Sequence, residues 1–168
     1  METKKDTPED IAKGVLTSNP VDGTINKRDR KNDTADGGFD PDGLKKLRSN
    51  GKRHHDGNDI GGMEVGTDVK ASGDGIMTIR VQKDKDGNVT GYGKYITIAH
   101  KNGVTTMYAH LKSYKYGSGT KVKAGQVIGK VGRTGNIGEK TKTHLHYEVK
   151  VNGKQIDPQP IHNWSMQE

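Results

Sequence analysis

THLHYEVKV, residues 143–151, decides the fold class, because its residues alternate between two chemistries at the period of an extended strand. Leu145, Tyr147 and Val149 share one face and are apolar, while His144 and His146 share the other. At roughly 3.3 Å per residue the two histidines stand about 6.6 Å apart along the chain. One histidine on a strand is most often a surface or hydrogen-bonded residue. Two in alternation, backed by a clean apolar face, mark a candidate site.

The neighbouring segments carry the same period. GIMTIRVQ (75–82), GKYITIAH (93–100), GVTTMYAHL (103–111) and QVIGKVG (126–132) alternate in and out and are separated by turn signals. With 28% hydrophobic residues and 24 glycines in 168, the chain suits one all-β, mainly antiparallel domain with a modest core, and it is too short for two full cores. DKDGNVTG (84–91) reads as a hairpin loop, since a calcium loop would need a bidentate acid late in its twelve residues. GRTGNIGEKT (132–141) echoes a phosphate-binding loop. There, however, Glu139 separates Gly138 from Lys140, so it reads instead as a mobile glycine-rich loop rimming a neighbouring site.

Ahead of the strands, TPEDIAKGVL (7–16) predicts a short helix, with Thr7 as N-cap, Pro8 at the first position and acids in the first turn. From Ser18 to Gly51 the chain is rich in Asp, Asn, Gly, Lys and Arg and reads as loop, with one short strand near Val21–Ile25. The expected organisation is a polar extension over 1–50, the functional domain over 51–162 and a tail over 163–168. Ten Lys/Arg balance ten Asp/Glu in residues 1–50, so the net charge of +7 belongs to the rest. A basic surface attracts nucleic acid, anionic membrane or anionic cell-wall polymer alike. Aromatic residues are only 5% and form no repeat with basic ones, which argues against a specific nucleic-acid binder. No apolar run reaches membrane-spanning length, and METKKDTPEDIAKG lacks the apolar stretch of a cleavable signal peptide. With no cysteine, any metal must be held by His, Asp or Glu.

HHDGNDIGG (54–62) offers such ligands. His55 and Asp59 would lie roughly 13 Å apart in a fully extended chain, too far to share a metal, so the chain must bend between them. Gly57 and Asn58 are the residue types that accept a bend there. His55 is preferred to His54 because only His55 has Gly and Asp at the second and fourth following positions. His55, Asp59 and one histidine of the 144/146 pair make a two-His, one-carboxylate set with a coordination position left for water. That is a catalytic zinc pattern, and the same ligand types also describe non-heme iron oxygenases.

HHDGNDIGG, VGTDVKASGDG (65–75), TTMYAHL (105–111), VKAGQVIGKVGRTG (122–135) and THLHYEV, in that order over residues 51–158, resemble the lysostaphin-type, or LytM-like, zinc peptidoglycan endopeptidases. NPVDGTI (19–25) resembles the strand that usually precedes them. The resemblance implies His55, Asp59 and His146 as zinc ligands, His110 and His144 as catalytic histidines, and an antiparallel sheet whose loops wall a groove. Asn58 stands where the family has a small or apolar residue. Lys142 and Thr143 replace the usual Gly-Pro; both departures bear on groove shape. His100 and His162 match no motif position and read as surface histidines, and Tyr108 either lines the cleft or packs.

The implied activity is zinc-dependent hydrolysis of a peptide bond in the stem or cross-bridge of bacterial peptidoglycan, outside the cell or in its wall. Without a signal or a wall-binding repeat, the expected setting is a phage-particle (virion) or lysis enzyme, with residues 1–50 docking it to tail or other assembly proteins. The rival reading is a LytM-like binding or scaffold module without turnover. Such modules usually lose ligands, whereas this chain retains all five residues.

Overall fold

The computed structural model describes residues 6–22, 24–25, 58–135, 137, 142–158, 161–162 and 165–166. Thr7 opens helix α1 (Pro8–Val15) with a reciprocal cap: its hydroxyl accepts from the Asp10 N–H, and the Asp10 carboxylate accepts from the Thr7 N–H. Pro8 occupies the first turn, where a missing N–H costs nothing. The helix buries Ala12 and Val15 in the core, and Leu16 and Val21 follow them there. Between these two, the Ser18 N–H bonds to the Ser72 carbonyl and the Lys70 N–H to the Pro20 carbonyl, tying this segment to the sheet.

The strands are β1 (Thr24–Ile25), β2 (Asn58–Gly61), β3 (Asp68–Lys70), β4 (Gly75–Lys83), β5 (Val89–Ala99), β6 (Val104–Tyr114), β7 (Thr120–Val122), β8 (Val127–Val131), β9 (Leu145–Val151), β10 (Lys154–Ile156) and β11 (Ser165–Met166). They form one sheet in the order β11-β1-β2-β9-β6-β5-β4-β7, with β10 joined to β9, β8 to β6 and β3 to β8. Among the described residues every pairing is antiparallel except β1 with β11. The all-β expectation is met. The five strands expected from alternation are β4, β5, β6, β8 and β9, while the three-residue β3, β7 and β10 are too short to show a period. Between β4 and β5 the hairpin loop forms as expected: the Asp84 carboxylate accepts from the Asp86 and Asn88 N–H groups, and Gly87 takes φ +84°.

Strand β9 runs through the middle of the sheet, and its apolar face sets the core. Tyr147 lies opposite Tyr108 of β6, their ring centroids 5.4 Å apart, and both are fully buried together with Leu145, Ile60, Ile96 and Ile98. Tyr108 therefore packs rather than lining a cleft. Two buried phenols need partners for their hydroxyls. Ser72 serves both, its N–H donating to the Tyr108 oxygen at 3.0 Å and its Oγ accepting from Tyr147 at 2.8 Å. The chain of hydrogen bonds continues from Tyr108 through Thr106 Oγ1 (2.7 Å) to His100 Nε2 (2.8 Å), and from Tyr147 to His162 Nε2 (2.9 Å).

This network overturns the expectation that His162 is a surface histidine, and it ties the half-buried His100 to Thr106. His162 is 8% exposed because the buried Tyr147 hydroxyl on β9 draws its Nε2 inward. Burial disfavours the charged imidazole, lowering His100 below the usual histidine value and His162 from 6.5 to about 4. Among the described residues no helix is long and apolar enough to cross a membrane.

An acid-stability profile follows from the buried imidazole. The folded value of His162 lies below the unfolded one, so between these values the unfolded chain binds the extra proton. Its contribution should be complete above pH ~6.5 and fade as pH falls toward 4, by up to about 3 kcal/mol. Urea titrations at stepped pH should show His162→Gln with a shallower loss over that window than the parent chain; identical slopes would rule out this contribution.

Candidate active site

The β2–β9 pairing builds the first half of the site. Asn58 stands opposite Tyr147, Asp59 opposite His146 and Ile60 opposite Leu145. Since opposed residues share a face, this register sends Asn58 and Ile60 to the core and Asp59 to the histidine face. His146 Nδ1 lies 2.8 Å from Asp59 Oδ1. Asn58 does not supply the expected bend, because pairing with Tyr147 holds it extended in β2, where it is fully buried. His54, His55 and Gly57 lie outside the described residues.

His110 reaches the same face by a break in alternation. On β6, Ala109 faces His146, so a regular strand would turn the next residue to the core. Instead β5 pairs Lys94 with Leu111 and Ile96 with Tyr108, leaving Ala109 and His110 against Tyr95 alone, a β-bulge. His110 takes φ +64° there. That left-handed backbone is costly for a residue with a Cβ and is seen most often where function requires it. The turn brings the His110 ring centroid to 5.1 Å from His144 and 6.2 Å from His146.

Each of these imidazoles is aimed by a carbonyl. His110 Nδ1–H donates to the Thr134 carbonyl at 2.8 Å, and His144 Nδ1–H donates to the Lys142 carbonyl at 3.0 Å. A carbonyl can only accept, so these bonds fix the tautomer and leave Nε2 as the basic nitrogen in both rings. His144 Nε2 is 3.8 Å from Asp59 Oδ1. Thr134 is itself fixed, its hydroxyl donating to the Leu111 carbonyl at 2.6 Å and accepting from the Lys94 N–H at 3.0 Å. Beneath it Gly93 (φ +66°) and Gly135 (φ +86°) press backbone against backbone, and a Cβ on Gly93 would collide with the Thr134 main chain. The described part of the glycine-rich loop thus adjoins the site as expected; residues 136 and 138–141 lie outside the described residues.

Electrostatics separate the histidines. Burial, reinforced by the neighbouring imidazoles of His144 and His146, lowers His110 to about 3, so it is neutral at physiological pH. For His146 burial acts in the same direction, but hydrogen bonds to Asp59 and Glu148 outweigh it and raise the imidazole to about 9. Both of its nitrogens face acceptors, Nε2 lying 2.8 Å from Glu148 Oε2. Glu148 is 1% exposed and also accepts from Gln155 Nε2 at 2.8 Å and from the Tyr92 hydroxyl. Neither Glu148 nor Tyr92, whose ring stacks on His146 with centroids 5.5 Å apart, was singled out from sequence. The signal for Glu148 was nevertheless present: it lies two residues beyond His146, on the same face of the strand.

Asp59 and His146 are the described side chains suited to a metal. Two ligand atoms about 2.1 Å from one tetrahedral ion stand roughly 3.4 Å apart, so opening this 2.8 Å pair by about 0.6 Å, with loss of the proton between them, turns it into a chelating one. Among the described residues no three His, Cys, Asp or Glu side chains complete a metal site.

Comparison with known proteins identifies the family. The profile of peptidase family M23 matches residues 53–158, more than half of the chain and all of the site just described. The chain belongs to peptidase family M23. Among curated M23-like relatives, it is 44% identical over 93 residues to the DD-carboxypeptidase/endopeptidase Mpg of Neisseria meningitidis, covering 55% of this chain and 19% of Mpg. It is 38% identical over 97 residues to the peptidoglycan DD-endopeptidase ShyC of Vibrio cholerae, covering 58% of this chain and 20% of ShyC. The chain thus spans about a fifth of the length of these relatives. A zinc-containing peptidase from Vibrio cholerae shares the fold with a TM-score of 0.59 and 30% identity, over 77% of this chain and 36% of that one.

The M23 site rests on the His110 bulge, and its strain is measurable. At φ +64° glycine is tolerated and alanine is not, so His110→Gly should be more stable than His110→Ala by roughly 1 kcal/mol in denaturant unfolding, reversing the usual order of the two residues. Equal stabilities would mean that residue 110 relaxes out of the left-handed region.

Proposed function

We propose that the chain is a zinc-dependent endopeptidase that hydrolyses peptide bonds in the stem or cross-bridge of bacterial peptidoglycan. His55, Asp59 and His146 hold the zinc, and His110 and His144 are the catalytic histidines. The observation that carries the reading is the convergence of Asp59, His146, His144 and His110, from β2, β9, the segment before β9 and the β6 bulge, on one face of the sheet. The donor set of two imidazoles and one carboxylate fits a catalytic zinc, and the names of the relatives, a peptidoglycan DD-endopeptidase and a zinc-containing peptidase, agree with it.

Zinc, when bound, acidifies water and polarises the scissile carbonyl as a Lewis acid. The chain's own residues do the proton work. With Nδ1–H committed to the Lys142 and Thr134 carbonyls, His144 and His110 both offer Nε2 toward the reacting group. A neutral ring with its Nδ1–H so committed can accept the proton of the attacking water at Nε2 and return it to the leaving amine. The backbone strain at His110 favours this reading over a silent binding module, since it aims an imidazole at His144 and His146. The excess positive charge on residues 51–168 suits an anionic wall.

Mass spectrometry of fragments released from purified sacculi of several wall types, with and without a zinc chelator, tests the activity. Chelator-sensitive release of cleaved peptides is the expected result and identifies the bond. Release that ignores the chelator, or none from any wall, would refute the proposal. For the residue roles, His146→Ala should lose both zinc and turnover, whereas His144→Ala should retain zinc and lose turnover by about 10²–10⁴-fold. Full activity in either variant would reject the assignment.

A further inference from the structure

We propose that Glu148, clamped by Gln155 and Tyr92, is the positioning residue that presents His146 to the metal. This role rests on the zinc reading above and is separate from ligation and from proton transfer. Glu148 is 1% exposed, and a buried carboxylate is costly unless its oxygens are satisfied. Here they are: Oε2 lies 2.8 Å from His146 Nε2, Oε1 accepts from Gln155 Nε2 at 2.8 Å, and the Tyr92 hydroxyl donates as well. The donors come from β9 itself, from β10 and from β5, so the carboxylate is held from three strands.

The clamp fixes both the position and the plane of the imidazole. Glu148 takes Nε2, on the opposite edge of the ring from the Nδ1 that faces Asp59. Tyr92 lies on the ring face, its plane 23° from that of His146. One side chain, Tyr92, therefore both stacks on the histidine and bonds the carboxylate behind it. An apolar residue at 148 would fill the same space without the cost of burying charge. A carboxylate on the far nitrogen makes the imidazole a more basic ligand and sets its direction before metal arrives, an arrangement whose loss typically lowers metal affinity by about 10–100-fold.

The test is the zinc dissociation constant of the full chain, measured by chelator competition for the parent, Glu148→Gln, Glu148→Leu, Gln155→Leu and Tyr92→Phe, with circular dichroism of the zinc-free proteins to verify folding. The parent should bind one zinc, Glu148→Leu should bind about 10–100-fold more weakly, and the two clamp variants several-fold more weakly. Nitrogen-15 spectra should show the His146 Nε2 proton hydrogen-bonded and shifted downfield in the zinc-loaded parent, and shifted upfield in zinc-loaded Glu148→Leu. Should Glu148→Leu fail to fold, Gln155→Leu and Tyr92→Phe carry the test, since both leave the carboxylate in place. Folded variants that all bind zinc as tightly as the parent would overturn the role of Glu148 alone. A parent that binds no zinc would overturn the zinc reading and this role with it.

Discussion

The antiparallel register of β2 on β9 is the constraint on which the rest depends. It sets Asp59 against His146 and Asn58 against Tyr147, so one pairing commits four side chains to two opposite faces. A slip of one residue would send Asp59 into the core and Asn58 to the histidines, leaving an unpaired carboxylate buried. Core and site therefore enforce each other: Tyr147, Leu145 and Ile60 pack in the register that also forms the Asp59–His146 pair.

The histidine cluster is assembled from parts that would not meet in a regular sheet. His110 leaves strict alternation through a bulge and a left-handed φ, and the Thr134 carbonyl that receives its Nδ1–H is brought close by the glycine-on-glycine contact between residues 93 and 135. The strain is sustained because β5 pairs with β6 on either side of the bulge, while β9 holds the residues before it and β8 those after it. Strand β9 contributes three successive inward residues on one face, His144 at its entry, His146 and Glu148, so the functional groups inherit the rigidity of a central strand.

The other face of the same strands carries a polar network of its own. Tyr108, Tyr147, Ser72, Thr106, His100 and His162 satisfy one another across the core, and α1 covers part of that side with Ala12, Val15 and Leu16. Burial keeps His162 neutral there and lowers His110 on the site face as well, whereas the hydrogen bonds from His146 to Asp59 and Glu148 outweigh burial and raise that imidazole. Environment, not residue type, sets their charge.

Much of this was legible in the chain. Alternation gave away β4, β5, β6, β8 and β9; Thr7, Pro8 and Asp10 announced α1; and the Asp-Gly hairpin formed where turn chemistry placed it. The order of H-x-G-x-D, Y-A-H-L and H-L-H pointed to the family, because such motifs encode a shared ligand set more durably than any periodicity. Three-residue strands were invisible, since two intervals cannot define a period. The inward turn of His162 was equally hidden, because burial depends on partners distant in sequence.

The sequence by itself determined which residue types could meet a metal or move a proton, and which of the longer segments would be strands, because local backbone preference and face alternation are properties of neighbours along the chain. Only the tertiary structure decided that Asp59 faces His146, that His110 crosses to the same side against its strand's alternation, and that Glu148, Gln155 and Tyr92 close behind the imidazole. Those relations are set by strand register, by a bulge and by buried hydrogen bonds that have to be satisfied together. They exist only once residues 87 positions apart, such as Asp59 and His146, are brought into contact.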